Sequence, residues 1–261
     1  MSGFDKQWLD LREVADHAAR DHELRKRVID HVVTAGEDAL VVDLGAGTGS
    51  TFRALSPEAL HWRWRLVDND PLLLAEAQNR HGQSGRVESV EAHLGDISAD
   101  LFAGMRLVTA SALFDLVSEA FLSHLLARLP HSDVGLYAAL NYDGICHWDD
   151  PHPMDEKVVD AFNDHQRGDK GFGPALGPTA AQVLRTLLEK QGFHVEMAPS
   201  PWRLDPADAE LQRRFVSGMA TAAAEMWRFN NGDVDDWRLA RLERIEHSGC
   251  VVGHWDLFAF R

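Results

Sequence analysis

Apolar and polar positions alternate along the chain in two rhythms, one of helical and one of strand period. Over residues 1–35, Leu9, Val14, Ala18 and Ala19 mark one apolar face, and Leu24, Val28, Ile29, Val32 and Val33 mark another. Gaps of three to five residues predict helix, and Gly36 suits a helix end. Leu40-Val41-Val42-Asp43-Leu44 follows. It is apolar on both faces, as a strand inside a parallel sheet is. A helix is predicted over 51–60 and a strand over 63–68. Pro71 opens another helix, with Leu72, Leu73, Leu74 and Ala77 as its apolar positions. Strands are predicted at 87–93, 107–113 and 134–140, and a helix carrying Phe121, Leu122, Leu125, Leu126 and Leu129 separates the last two. Strands alternating with helices of about 10–15 residues predict βαβ units, a parallel sheet and right-handed crossovers.

The rhythm breaks after residue 140. Residues 141–178 hold four prolines and five glycines, too long a connection for a compact domain unless it is a binding loop or lid. Beyond it, a helix at 179–191, a strand at 194–198, a helical stretch over 206–229, a helix at 234–247 and a closing strand at 250–260 are predicted. The 211–229 stripe of Phe215, Met219, Ala222, Ala223, Met226 and Trp227 reads as a core face and leaves a homodimer conceivable. No linker is visible, so the expectation is one domain, 1–261. It comprises a helical cover (1–35), a ligand-binding half (36–140), an inserted cap (141–178) and a C-terminal half (179–261) with a helical insertion at 206–230.

The formal net charge is −15, from 26 Lys and Arg against 41 Asp and Glu. Such a body repels nucleic-acid backbones and anionic membrane surfaces, so a small molecule is the expected partner. Cys146 and Cys250 make neither a disulfide framework nor a metal knuckle. Without an apolar leader or an 18-residue apolar span, the expected location is the cytoplasm.

The informative segment is Val41-Val42-Asp43-Leu44-Gly45-Ala46-Gly47-Thr48-Gly49-Ser50. A strand ends on an acid and runs into a loop with glycine at every second position. Such a loop allows left-handed backbone and close approach of a ligand. The dinucleotide fingerprint has a wider last gap, G-x-G-x-x-G. The present G-x-G-x-G spacing resembles motif I of the class I S-adenosylmethionine-dependent methyltransferases. Three further motifs extend the resemblance: Asp68-Asn69 after the second strand, Gly95-Asp96-Ile97 after the third, and Ser111-Ala112-Leu113-Phe114-Asp115 after the fourth. It covers residues 36–140 well and 179–260 loosely. The resemblance implies a doubly wound, seven-stranded, mostly parallel sheet whose last strand is antiparallel. It implies S-adenosyl-L-methionine as methyl donor and S-adenosyl-L-homocysteine as product. It places Asp43, Gly45, Ala46, Gly47 and Gly49 around the donor, Asp68 on the ribose hydroxyls, Asn69, Asp96 and Ile97 beside the adenine, and Ser111 facing the methyl. Arg20 is the candidate for the donor's carboxylate.

Candidate acceptor groups sit at the fourth and fifth strand ends and in the cap. Phe114, Asn141, Tyr142, Arg167 and Lys170 are the expected substrate contacts, the two cations suggesting an anionic acceptor. His165 is the first candidate for a general base, followed by Tyr142 and Asp115. His147, Asp149, Asp150 and His152 suggest metal ligands, but Pro151 and Pro153 break their register, so no metal is expected. The competing readings are an NAD-dependent oxidoreductase and a non-catalytic adenosyl-binding protein on the same fold.

Overall fold

The computed structural model describes residues 5–130, 132–226, 229 and 232–261. Trp227 of the predicted apolar stripe lies outside them. Helices α1 (Lys6–Ala19) and α2 (His22–Val33) precede β1 (Leu40–Leu44) and α3 (Ser50–Ala54). Next come β2 (Arg63–Asp68), α4 (Pro71–His81), β3 (Val87–Glu91), β4 (Met105–Ser111), α5 (Glu119–Leu126) and β5 (Gly135–Trp148). The second half holds α6 (Asp155–Gln166), α7 (Ala180–Lys190), β6 (His194–Pro199), β7 (Trp202–Leu204), α8 (Ala209–Ala224), α9 (Asp233–Arg244) and β8 (Cys250–Phe260).

Helix starts follow capping chemistry. The carboxylates of Asp5, Asp21 and Asp70 and the Ser118 hydroxyl accept backbone N–H groups at the starts of α1, α2, α4 and α5. The predicted helix 51–60 divides at Pro57: α3 stops at Ala54 and a 3-10 turn covers Glu58–His61, as a proline inside a helix requires.

The sheet runs β3-β2-β1-β4-β5-β8-β6. Strands β1 to β5 are mutually parallel, and β8 is antiparallel to both β5 and β6. These are the seven strands expected, mostly parallel with the last one antiparallel. An eighth, β7, pairs with the start of β8. Its three residues are too few to show a period in sequence.

The insertion differs from the loop expected at 141–178. Residues 141–148 continue β5, which pairs with β8 along its length across two register shifts, and 155–166 form α6. Only 149–154 and the stretch between α6 and α7 are irregular, the latter ending in a 3-10 turn at Gly177–Thr179. At the first shift Leu140 takes φ +56°, and its N–H donates to Asp256 Oδ1 at 2.9 Å. That buried carboxylate holds the bulge. One face of the sheet packs on α5 and α7, the other on α2, α3 and α4. A third apolar cluster lies under α6, α8 and α9, and includes Met219 and Ala223 of the predicted stripe. No helix of the described residues is long and apolar enough to cross a membrane.

Candidate functional site

The loop after β1 turns on Gly45, Gly47 and Gly49, at φ +62°, +54° and +83°. The Gly47 N–H donates to Asp68 Oδ2 at 2.8 Å, and the Asp70 N–H donates to Asp68 Oδ1 at 3.0 Å. Asp68, at the end of β2, therefore holds the loop against its own strand, and each of its oxygens keeps lone pairs for a further donor. Its carboxyl is raised above the ordinary range by burial, against the pull of these N–H groups. A Cβ built on Gly47 would lie 3.2 Å from Leu9 Cδ1, so α1 crosses directly over the loop. Ion pairs fasten it there, Glu13 to Arg53 and Asp10 to Arg80, and His17 Nε2 meets Ser50 O and Oγ at 3.1 Å.

Beneath α1 lies a buried group of unequal charges. Arg20 is 6% exposed. Its Nη2 donates to Ser111 Oγ at 3.1 Å, but Nε and Nη1 have no hydrogen-bond partner among the described residues. Asp256, fully buried, takes the Tyr137 hydroxyl and the Asp21 and Leu140 N–H groups. Asp43 accepts the Thr109 hydroxyl at 2.7 Å on Oδ1, while Oδ2 is buried without a partner. Burial pushes its carboxyl up to about 7, against the opposing charge of Arg20.

A second group forms where β4, β5 and β8 meet α1. Asp115 Oδ1 is buried and unpartnered. Burial pushes this carboxyl up to about 6, with the Arg12 guanidinium pulling the other way. Arg12 itself is held by Asp16 through two bonds, at 2.8 and 3.1 Å, and the Trp202 indole N–H donates to the same Asp16 at 2.9 Å. His254 is buried against Trp202 and Tyr142, and burial, reinforced by Arg12, lowers its imidazole to about 3. It is neutral at every physiological pH.

The other expected residues are scattered. Ser111 contacts Arg20. Ala46 is buried in the loop. Ile97 and Phe114 are buried in the core beside α5. Asn69 and Asp96 are exposed at the ends of their turns. Asn141 is 1% exposed and spends its amide donor on Ala138 O and Trp255 O, so it braces the bulge. Tyr142 is buried, donates to Asn163 at 2.9 Å, and is raised above its ordinary range by desolvation. His165 lies at the end of α6, 3.1 Å from Glu225. Arg167 pairs with Asp164 at 3.0 Å and is half-exposed. Lys170 donates to His165 O. Arg167 and Lys170 lie just past the end of α6. The residues sequence reasoning missed are Arg12, Asp16, Trp202, His254 and Asp256. Only the helical i,i+4 spacing of Arg12 and Asp16 was visible as a pair. Among the described residues, no group of His, Cys, Asp or Glu is placed to hold a metal ion.

No family model matches the chain and no curated protein does. Solved structures match its shape across almost its whole length. A SAM-dependent methyltransferase from Thiobacillus denitrificans, in complex with S-adenosyl-L-homocysteine, superposes with a TM-score of 0.50 at 16% identity, over 98% of each chain. The YcgJ protein from Bacillus subtilis gives 0.51 at 14%, over 92% of this chain and 99% of that one. YjhP from E. coli gives 0.50 at 17%, over 98% of each. With the strand order and the antiparallel β8, these likenesses show that the chain has the fold of the class I S-adenosylmethionine-dependent methyltransferases.

Proposed function

We propose that the protein transfers a methyl group from S-adenosyl-L-methionine to a small molecule in the cytoplasm. The observation that carries this reading is Arg20. Burying a cation costs several kcal/mol unless anions and hydrogen bonds complete it. Here Tyr137, Asp256 and Asp16 act on the cation, but Asp256 is occupied by three donors and two guanidinium nitrogens make no hydrogen bond among the described residues. A ligand carboxylate beside Ser111 would supply the missing acceptors, and the donor's amino-acid end bears one. The glycine loop and Asp68 stand where the rest of such a ligand would lie, with the Asp68 lone pairs suited to two hydroxyls. The donor-half residues Asp43, Gly45, Ala46, Gly47, Gly49, Asp68, Asn69, Asp96, Ile97, Ser111 and Arg20 remain the proposed cofactor site. A neighbour of the same fold was solved with S-adenosyl-L-homocysteine, which supports the ligand class.

When bound, the donor supplies a methyl already activated on a positive sulfur. The chain's task is then alignment and exclusion of water, and positioning of this kind can contribute about 7–11 kcal/mol. Helix α1 provides the exclusion. The anionic acceptor expected from Arg167 and Lys170 draws no support from the geometry, since Arg167 pairs with Asp164 and Lys170 donates to the His165 carbonyl.

Titration calorimetry with S-adenosyl-L-homocysteine and with NAD tests the reading. Binding of the first and not the second is expected, weakened about 10–100-fold in Arg20→Met, the loss of a charge-assisted pair. Binding of NAD alone, or binding of the adenosyl ligand indifferent to Arg20, would overturn it.

A further inference from the structure

The Asp256 carboxylate is fully buried on β8, inside the bulge of β5. Its Oδ2 accepts the Tyr137 hydroxyl of β5 at 3.0 Å and the Asp21 N–H at the start of α2 at 3.2 Å, and its Oδ1 accepts the Leu140 N–H at 2.9 Å. Arg20 is the residue just before that Asp21 N–H, in the extended link between α1 and α2, at φ −57° and ψ 133°. Its side chain lies over the Tyr137 ring, with Cζ 5.6 Å from the ring centre, and its Nη2 donates to Ser111 Oγ at 3.1 Å. One carboxylate thus fixes both the backbone from which Arg20 departs and the ring on which it rests.

Asp256 also supplies counter-charge, which a buried cation needs. It and Tyr137 both act on the Arg20 charge, yet Arg20 Nε and Nη1 have no hydrogen-bond partner among the described residues. Elsewhere in this molecule buried arginines spend their forks on carboxylates, Arg12 on Asp16 and Arg241 on Asp155, the usual bidentate arrangement. At Arg20 the carboxylate is filled by the Tyr137 hydroxyl and two backbone N–H groups instead. The charge is compensated while the donors stay unspent.

We propose that Tyr137 and Asp256 are positioning residues: by occupying Asp256, the Tyr137 hydroxyl keeps the Arg20 fork from closing on it, and the fork stays open for the carboxylate of a nucleoside bearing an amino-acid end. This rests on the methyl-transfer reading above, in which Arg20 meets that end of the donor. The pair acts through Arg20 and touches no ligand itself. Donors fixed and desolvated in advance bind an incoming carboxylate without reorganising. The benefit goes only to ligands that carry one. Without the hydroxyl, Asp256 has an acceptor position to spare, and the Arg20 fork turns to it.

Calorimetry on the full chain compares S-adenosyl-L-homocysteine with its decarboxylated form, which keeps the nucleoside and the ammonium and lacks the carboxylate. Wild type is expected to prefer the first by about tenfold or more. Tyr137→Phe should weaken S-adenosyl-L-homocysteine about tenfold and leave the decarboxylated form within about twofold, which also shows that the variant is folded. In an Arg20→Met background, Tyr137→Phe should change neither affinity, since the residue through which it acts is gone. Equal loss of both ligands in Tyr137→Phe, loss of neither, or a loss of S-adenosyl-L-homocysteine that persists in the Arg20→Met background overturns the inference. If Tyr137→Phe does not fold, the Nε–H resonance of Arg20 in wild type decides, assigned by its absence from Arg20→Met. It is expected to be free of a hydrogen bond without ligand and bonded with S-adenosyl-L-homocysteine, and a bond already present in the ligand-free protein overturns the inference. Wild type that binds neither nucleoside, or both equally, overturns the donor reading of Arg20 and the positioning role with it. A clear wild-type preference that Tyr137→Phe leaves intact overturns the positioning role alone.

Discussion

Replacing Asp43 by Asn should make the protein more stable as pH rises, relative to wild type. Asp43 is 1% exposed, and its carboxyl is raised from 3.8 to about 7 chiefly by desolvation. The shift of about 3 units corresponds to roughly 4 kcal/mol. In the unfolded chain the group ionises near pH 4, but in the folded one only near 7. Ionisation therefore works against folding: the penalty is absent below about pH 4, grows through the window between the two values, and is complete above about pH 7. Asn does not titrate. Whatever fixed cost its amide incurs next to Thr109 is the same at every pH. The stability of Asp43→Asn minus that of wild type should thus grow by about 3 kcal/mol between pH 5 and pH 8. Urea unfolding at several pH values, followed by tryptophan fluorescence, measures this difference directly. Every other titrating group is common to both proteins and largely cancels. A difference independent of pH would refute the argument that desolvation dominates at Asp43. A difference that shrinks with pH would show that Arg20 neutralises the carboxylate, making the two a stabilising ion pair. The same ionised carboxylate, released from its penalty by a bound cation, is a reason for donor affinity to rise with pH over the same window.

Two further outcomes test the geometry. Gly47→Ala forces an L-residue to φ +54° and brings its Cβ to 3.2 Å from Leu9, so a loss of about 1–3 kcal/mol is expected. Adding Leu9→Ala should recover the contact part and not the backbone part, read from thermal midpoints of the singles and the double. Arg241→Met removes a guanidinium 1% exposed that bonds Asp155 and Asp150 O, and should cost about 3 kcal/mol, because Asp155 loses its charge partner while keeping the Trp237 and His152 N–H groups. Asp155→Asn in the same chain should restore part of that in denaturant titration.

The first half of the sheet was legible because its physics is local. A both-faces apolar strand, an acid at its end and glycines at alternate positions specify β1 and its turn from neighbours in sequence. The loop's left-handed glycines follow from that pattern, as does Asp68 at the end of the next strand. The acceptor half was legible only in outline. Four prolines and five glycines made 141–178 look like a loop, yet residues 141–148 are strand because β8, more than a hundred residues later, offers them hydrogen-bond partners. His165, Arg167 and Lys170 drew attention as a dense ionic run, but at the end of α6 His165 meets Glu225, and beyond it Arg167 pairs with Asp164 and Lys170 donates to His165 O. Phe114 stood next to the candidate base in sequence, and the turn after β4 sends the two in different directions, one into the core and one toward α1.

By itself the sequence determined the alternation of strands and helices, the parallel half of the sheet and the glycine loop, since propensity, capping and periodicity act over a few residues. Charge state and partnership came only with the tertiary structure. That Arg20 is a cation short of acceptors, Asp115 an acceptor short of a donor, and Arg12 a cation already spent on Asp16 depends on which distant groups are brought together and which are shut from water. Desolvation and hydrogen-bond satisfaction are properties of the whole packed assembly, and no local pattern encodes them.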